Sequence, residues 1–334
     1  MGKRYKLLAF FTLTFLLLFL SACQGVEPTV GEEQKGGELK TGQEDSPSGS
    51  AKEGEASDGE ETAYFVTDDM GEAIRFEKVP ESVVSLQPSN TEILFALGLG
   101  DKIVGVTQFD TYPEEAKNIE RVSDSVNIDA ERIIELNPDV VFAYTVGEKE
   151  SIRPLLDAGI TVFVIRSASS FEDVYGDIMQ IAEVMGVKER GEELVNQIKG
   201  QLETVAEKVK DVSPKSVYLE ISPAPDLYTP GQNTFQHEIL TRAGVINAFG
   251  DLEGWKKISE EEIISRDPDI VATTVHHGPD PVQEIKDRPG WHQLKAVQNG
   301  EVYLLDDVIM TRPGPRIGEA VELVAKMAYP EQFN

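Results

Sequence analysis

Glu131-Arg132-Ile133-Ile134, followed three residues later by Pro138-Asp139-Val140-Val141, returns further along the chain as Glu261-Glu262-Ile263-Ile264 and Pro268-Asp269-Ile270-Val271. An acidic start before paired isoleucines suits the first turns of a helix. Pro-Asp then stops that helix ahead of a short apolar run fit for a buried strand. A second pair of words stands earlier in each half. Thr91-Glu92-Ile93-Leu94-Phe95-Ala96-Leu97-Gly98 is echoed by His237-Glu238-Ile239-Leu240-Thr241-Arg242-Ala243-Gly244, each a helix closed by glycine. Two echoes in the same order predict two lobes of the same build.

Around these words, β-branched runs alternate with helix-period segments. The runs fall at 83–86, 103–106, 140–144 and 161–165, then at 216–219, 270–274 and 301–305. Such alternation predicts βα units around mostly parallel sheets. Ahead of them, 64–79 predicts an antiparallel start turning at Asp68-Asp69-Met70-Gly71. Between the halves, 188–211 holds no proline, and Leu194, Ile198, Leu202, Val205 and Val209 share one helical face. At about 1.5 Å per residue this segment spans about 36 Å, enough to bridge two lobes. An ordinary surface helix within one domain would carry the same stripe. The expected fold class is therefore α/β, with two βα lobes (63–187 and 212–334) of mostly parallel sheets joined by a single long bridging helix (188–211).

The amino terminus reads as an address. Lys3, Arg4 and Lys6 precede an apolar run at 7–20, which as a helix reaches about 21 Å, short of a bilayer core of about 30 Å. That is the length of a signal peptide, here 1–22. Cys23, the only cysteine of the chain, closes Leu20-Ser21-Ala22-Cys23. The segment 24–62 then has no aromatic residue, 11 acidic residues and three lysines. It cannot bury enough apolar surface to fold and is expected to form an extended acidic tether, 23–62 with its cysteine.

Composition narrows the function. The chain has 334 residues and a formal charge of −28, from 59 acidic and 31 basic residues. Without the first 62 residues, 25 basic and 48 acidic residues remain, so the folded body is acidic too. Such a surface repels phosphate backbones and speaks against nucleic acid as a partner. One cysteine excludes a disulfide scaffold or a multi-cysteine metal site. The histidines, His237, His276, His277 and His292, all lie in the second half, so an ion between lobes would find no imidazole on the first. G-x-S-x-G, H-E-x-x-H, C-x-x-C and the phosphate-binding G-x-x-x-x-G-K-[ST] are all absent. The expectation is a binding protein with no catalytic residue, no metal site and no resident cofactor.

The leader and cysteine resemble the lipobox of bacterial lipoproteins, which implies cleavage before Cys23 and lipid on its thiol. An uncleaved anchor with an incidental cysteine would leave the body equally outside the cytoplasm and held to a membrane. The body, 63–334, resembles the substrate-binding proteins of ABC importers, in the helical-backbone class that captures vitamin B12 and ferric siderophores. The words carrying the likeness are Val84-Ser85-Leu86-Gln87-Pro88-Ser89-Asn90-Thr91-Glu92, Tyr112-Pro113, Asn137-Pro138-Asp139 and Arg312-Pro313-Gly314-Pro315-Arg316.

The resemblance implies a lipid-anchored extracytoplasmic monomer that delivers a metal chelate to a permease dimer and its ATPase. Ligand would lie in the cleft between lobes, against Phe109, Tyr144 and Arg166 of the first and Tyr228, Trp255, His276 and Arg312 of the second. Tyr144 could instead cap the core at its strand end. Glu131 and Glu261 would meet arginines of the permease, though a carboxylate in a first helical turn is also favoured by the helix dipole alone. The chain departs from the vitamin B12 receptors in having Ser125 where they carry a further tryptophan. Arg166, Arg312 and His276 would suit an anionic ferric chelate, siderophore or haem; the word match leans to a corrinoid. An extracellular enzyme or a signalling lipoprotein on the same scaffold is the competing class. Gln24 after the cysteine fits a single-membrane bacterium.

Overall fold

A hairpin opens the folded chain, because Asp68 can turn it. Its carboxylate accepts the amides of Met70 and Glu72, both at 2.9 Å, between antiparallel strands β1 (Tyr64–Thr67) and β2 (Ala73–Phe76). The computed structural model describes residues 63–124, 127–144, 151–276 and 278–334, all within the unit Gly59–Asn334. The leader, Cys23, the tether, Ser125 and His277 lie outside the described residues.

The first lobe runs β3 (Val83–Ser85), α1 (Pro88–Ala96), β4 (Ile103–Thr107), β5 (Arg121–Ser123), α2 (Ala130–Leu136), β6 (Val140–Tyr144), α3 (Arg153–Asp157), β7 (Val162–Ile165) and α4 (Phe171–Val184). Its sheet has the order β5-β4-β3-β6-β7 and every pair is parallel. Both faces are covered, so β6 and β7 read as continuous apolar runs whose alternation only sorts residues between two cores. Val140, Phe142 and Phe163 face α1 and α4, whereas Val141, Ala143, Val162 and Val164 pack with Ile133 of α2 and Leu155 of α3. The opening hairpin closes the β7 edge, Asp69 donating its amide to Val164 O at 3.0 Å.

Helix α5 (Lys188–Val209) follows as the bridging helix, burying Gly191, Val195, Ile198, Leu202, Val205 and Val209. Leu194 is only half-buried; its neighbour Val195 takes the inward place. The second lobe then runs β8 (Ser216–Glu220), β9 (Tyr228–Pro230), α6 (Phe235–Arg242), β10 (Ile246–Asn247), β11 (Trp255–Lys257), α7 (Glu260–Arg266), β12 (Ile270–Thr273), α8 (Pro281–Lys286), α9 (Lys295–Gln298), β13 (Val302–Leu304), α10 (Asp307–Thr311) and α11 (Ile317–Ala328). Its sheet, β10-β8-β12-β13, is also wholly parallel.

The two orders superpose as β4-β3-β6-β7 on β10-β8-β12-β13, as the repeated words require. Both repeats end alike. Asn137 and Asp267 close α2 and α7 in the left-handed region, at φ 47° and 43°. Gly98 and Gly244 follow α1 and α6 at φ 73° and 78°.

Two features were not legible in the sequence. Helix α4 lies directly before α5 and packs on it, as does α11, so one continuous core joins both lobes through α5. At Gly191 a Cβ would lie 2.6 Å from Ala182 Cβ, so only glycine permits this approach of α5 to α4. The antiparallel ribbon of β9 and β11 is the other addition.

Candidate functional site

Loops that leave the carboxyl ends of parallel strands are where open α/β sheets place ligands. In the first lobe the loop after β4 carries Phe109 and Tyr112, which are 48% and 43% exposed. In the second, Trp255 is 53% and Tyr228 37% exposed. Rings left so open do not serve a core.

Tyr228 and Trp255 share one face of the β9–β11 ribbon. Trp255 stands opposite Pro230, and Tyr228 lies two residues before Pro230. Trp255 Nε1 donates to Gln236 Oε1 at 3.2 Å, which steadies the indole without burying it.

The loop after β4 is held from the opposite lobe. Arg312 Nη2 donates to Phe109 O at 2.6 Å and to Thr111 Oγ1 at 3.0 Å, and Arg316 lies 3.8 Å over the Tyr112 ring. Both arginines converge on Glu92 of α1, whose side chain is 1% exposed. Arg316 donates to it through Nε at 2.8 Å and Nη2 at 2.7 Å, and Arg312 through Nη1 at 3.2 Å. Burial alone would lower the Arg316 pKa, but its bonds to Glu92 outweigh that and raise it. Beneath the same loop, Asp110 is fully buried and accepts from Thr107 N at 2.9 Å. Burial pushes its carboxyl above the usual range despite those hydrogen bonds and the nearby Arg312.

A second buried ion pair stands at the end of β8. Glu220, which ends β8, accepts from Arg288 Nη1 at 2.5 Å and Nη2 at 3.0 Å, and Arg288 stacks over Trp291 at 4.7 Å. This charge is matched and enclosed, so it supports the strand end instead of offering itself to a ligand.

The expected contact residues fall into separate groups. Phe109 and Arg312 meet directly, and Tyr228 and Trp255 share the ribbon. Tyr144 ends β6, half-buried. His276 Nε2 is 3.6 Å from Asp307 Oδ1. Arg166 lines a cavity of about 470 Å³ together with Asp69, Asp173, Asp177 and Gln180. Glu131 and Glu261 are exposed, each the second residue of its helix. Glu92, Tyr112, Gln236 and Arg316 join these residues only through the fold. The pairing of Glu92 with Arg316 spans 224 residues and leaves no local mark in the sequence.

The profile of the family described as periplasmic binding protein matches residues 83–309. The chain is 41% identical over 277 residues to a Bacillus subtilis protein, YvrC, described as an uncharacterized ABC transporter substrate-binding lipoprotein, covering 80% of this chain and 86% of that one. Among solved structures, it is similar to a possible iron-binding (periplasmic solute-binding) protein from Staphylococcus epidermidis. That match has a TM-score of 0.68 and 34% identity, over 75% of this chain and all of that one. It is also similar to the periplasmic vitamin B12 binding protein of Vibrio cholerae, at a TM-score of 0.63 and 27% identity, over 76% of this chain and 99% of that one.

Proposed function

The chain belongs to the periplasmic binding protein family, and from that premise we propose that it is the lipid-anchored, extracytoplasmic receptor of an ABC importer for a metal chelate, a corrinoid by preference. It binds and hands over its ligand unchanged, and works as a monomer tethered through Cys23. Its partners are a permease dimer and the ATPase that drives it. Kinship with an ABC transporter substrate-binding lipoprotein supports the class.

One observation supports the corrinoid. Arg312 beside Phe109 and Arg316 over Tyr112 are both engaged with buried Glu92, while the rings of Phe109, Tyr112, Tyr228 and Trp255 remain exposed. Open rings, with both guanidiniums already taken up by protein acceptors, suit a large and mostly apolar ligand better than a small anion. The kinship with a possible iron-binding protein favours the second reading, a ferric siderophore or haem.

Calorimetry of the full chain against cyanocobalamin, dicyanocobinamide, haemin and a panel of ferric siderophores tests the proposal. Tight binding of a corrinoid alone is the expected result. Binding of haemin or a ferric siderophore alone would replace it with the second reading, and silence from all would overturn both.

A further inference from the structure

The glutamates of the repeated words, Glu92 and Glu238, each stand one residue before a fully buried isoleucine, Ile93 and Ile239. Each reaches out of its own lobe. Glu92 of α1 accepts both guanidinium donors of Arg316, the residue that caps α11 in the second lobe. Glu238 of α6 accepts the amide of Phe171, the first residue of α4 in the first lobe, at 2.8 Å. The surroundings of this second tie also cross between lobes. Phe171 packs on Phe235 at a centroid distance of 5.7 Å, and Arg242 lies 5.0 Å over the Phe171 ring. Helices α4 and α11 both pack on α5.

We propose that Glu92 and Glu238 are reciprocal positioning residues. Each ties its lobe to the start of the other lobe's closing helix, and the Glu92 tie, through Arg312, also sets where the Phe109–Tyr112 loop stands at the cleft. The chemistry suits the task. A carboxylate at the first amide of a fourteen-residue helix meets the positive end of its dipole. A buried carboxylate keeps its guanidinium partners only while both lobes keep their present approach. Arg312 is thereby a positioning residue for Phe109, holding its carbonyl while its Nη1 donates to Glu92.

This inference rests on the receptor reading only in taking the cleft as the ligand site, and its test is made without ligand. Amide exchange of the full chain, followed by mass spectrometry with residue-level fragmentation, is compared with Arg312→Gln, Glu92→Gln and Glu238→Gln. Arg312→Gln leaves the Glu92–Arg316 pair in place and keeps the experiment informative should Glu92→Gln not fold. The expected result is exchange about tenfold faster at amides 109–112 in Arg312→Gln, and at Phe171 in Glu238→Gln, with β3 and β6 unchanged. Exchange unchanged at both places would overturn the proposal. So would a uniform rise across the whole body, the mark of a merely structural role. If the loop loosens as expected but no corrinoid or ferric chelate binds the parent protein, the positioning role stands and the ligand reading falls.

Discussion

Asp139 and Asp269 hold the same post in the two lobes. Asp139 Oδ2 accepts the amide of Ser82 at 3.1 Å and its hydroxyl at 3.1 Å; Asp269 Oδ2 accepts the amide and hydroxyl of Ser216, both at 2.8 Å. Each serine returns its oxygen to the aspartate's own amide, at 2.9 and 3.0 Å. The aspartate that follows the repeated proline thus pins the start of each lobe's central strand, β3 or β8. For both carboxyls burial acts upward, but the donated hydrogen bonds win and hold the pKa below its ordinary 3.8.

These posts make stability depend on acid. A carboxylate whose folded pKa is lowered stabilises the fold above its unfolded pKa, and that contribution is lost as pH falls through the folded value. Asp139→Asn with Asp269→Asn should therefore cost about 1 kcal/mol per site at pH 7, allowing for partial exposure. The gap to the parent should close below about pH 4, where the parent's own carboxyls protonate. Thermal melts from pH 2 to pH 8 check this; a gap that stays constant throughout would sink the linkage.

Asp177 shows the opposite sign. It is 6% exposed, and burial, with Asp69 and Asp173 nearby, pushes its pKa up to about 8. An acid raised in the fold favours folding while protonated and penalises it as pH climbs from about 4 towards 8. Asp177→Asn should therefore gain on the parent steadily over that window, by on the order of a few kcal/mol at pH 9. Chemical denaturation at pH 5, 7 and 9 measures the gain. An equal difference at all three would show that Asp177 does not titrate there.

Trp255→Ala and Phe109→Ala should each weaken ligand binding by about 1–3 kcal/mol while the melting temperature moves little, since both rings stand open. Calorimetry and melting of the same preparations separate the two effects. A large loss of stability with unchanged affinity would reassign them to packing.

Glu131 and Glu261 share the second position of α2 and α7, exposed, above the buried Ile133 and Ile263. A two-fold permease offers each basic patch twice, and a pseudo-symmetric receptor can answer both. Replacing both with alanine should abolish uptake in cells, with ligand affinity unchanged and melting within a few degrees of the parent. Uptake that survives the double change would leave them as dipole partners of their helices, worth about 0.3–1 kcal/mol each.

What the sequence determined by itself was the part written in neighbouring residues. Ile133-Ile134 with Pro138-Asp139, and their counterparts Ile263-Ile264 with Pro268-Asp269, declare a helix, its stop and a buried strand within a dozen positions, and saying it twice implies two lobes. The stripe of α5 was legible for the same reason, since helical facing depends only on spacing. Helix α4 escaped although Ser170 and Asp173 form a capping box, because a signal so short stands out only once the helix is known. The tertiary structure alone decided which distant residues meet. That Arg316 meets Glu92 across 224 residues, that Glu238 holds Phe171, and that Arg166 shares a cavity with Asp69 and Asp177 follow from how the elements pack around α5. Local periodicity sets which face of an element is apolar; only the closing of the whole core chooses which charges meet across it.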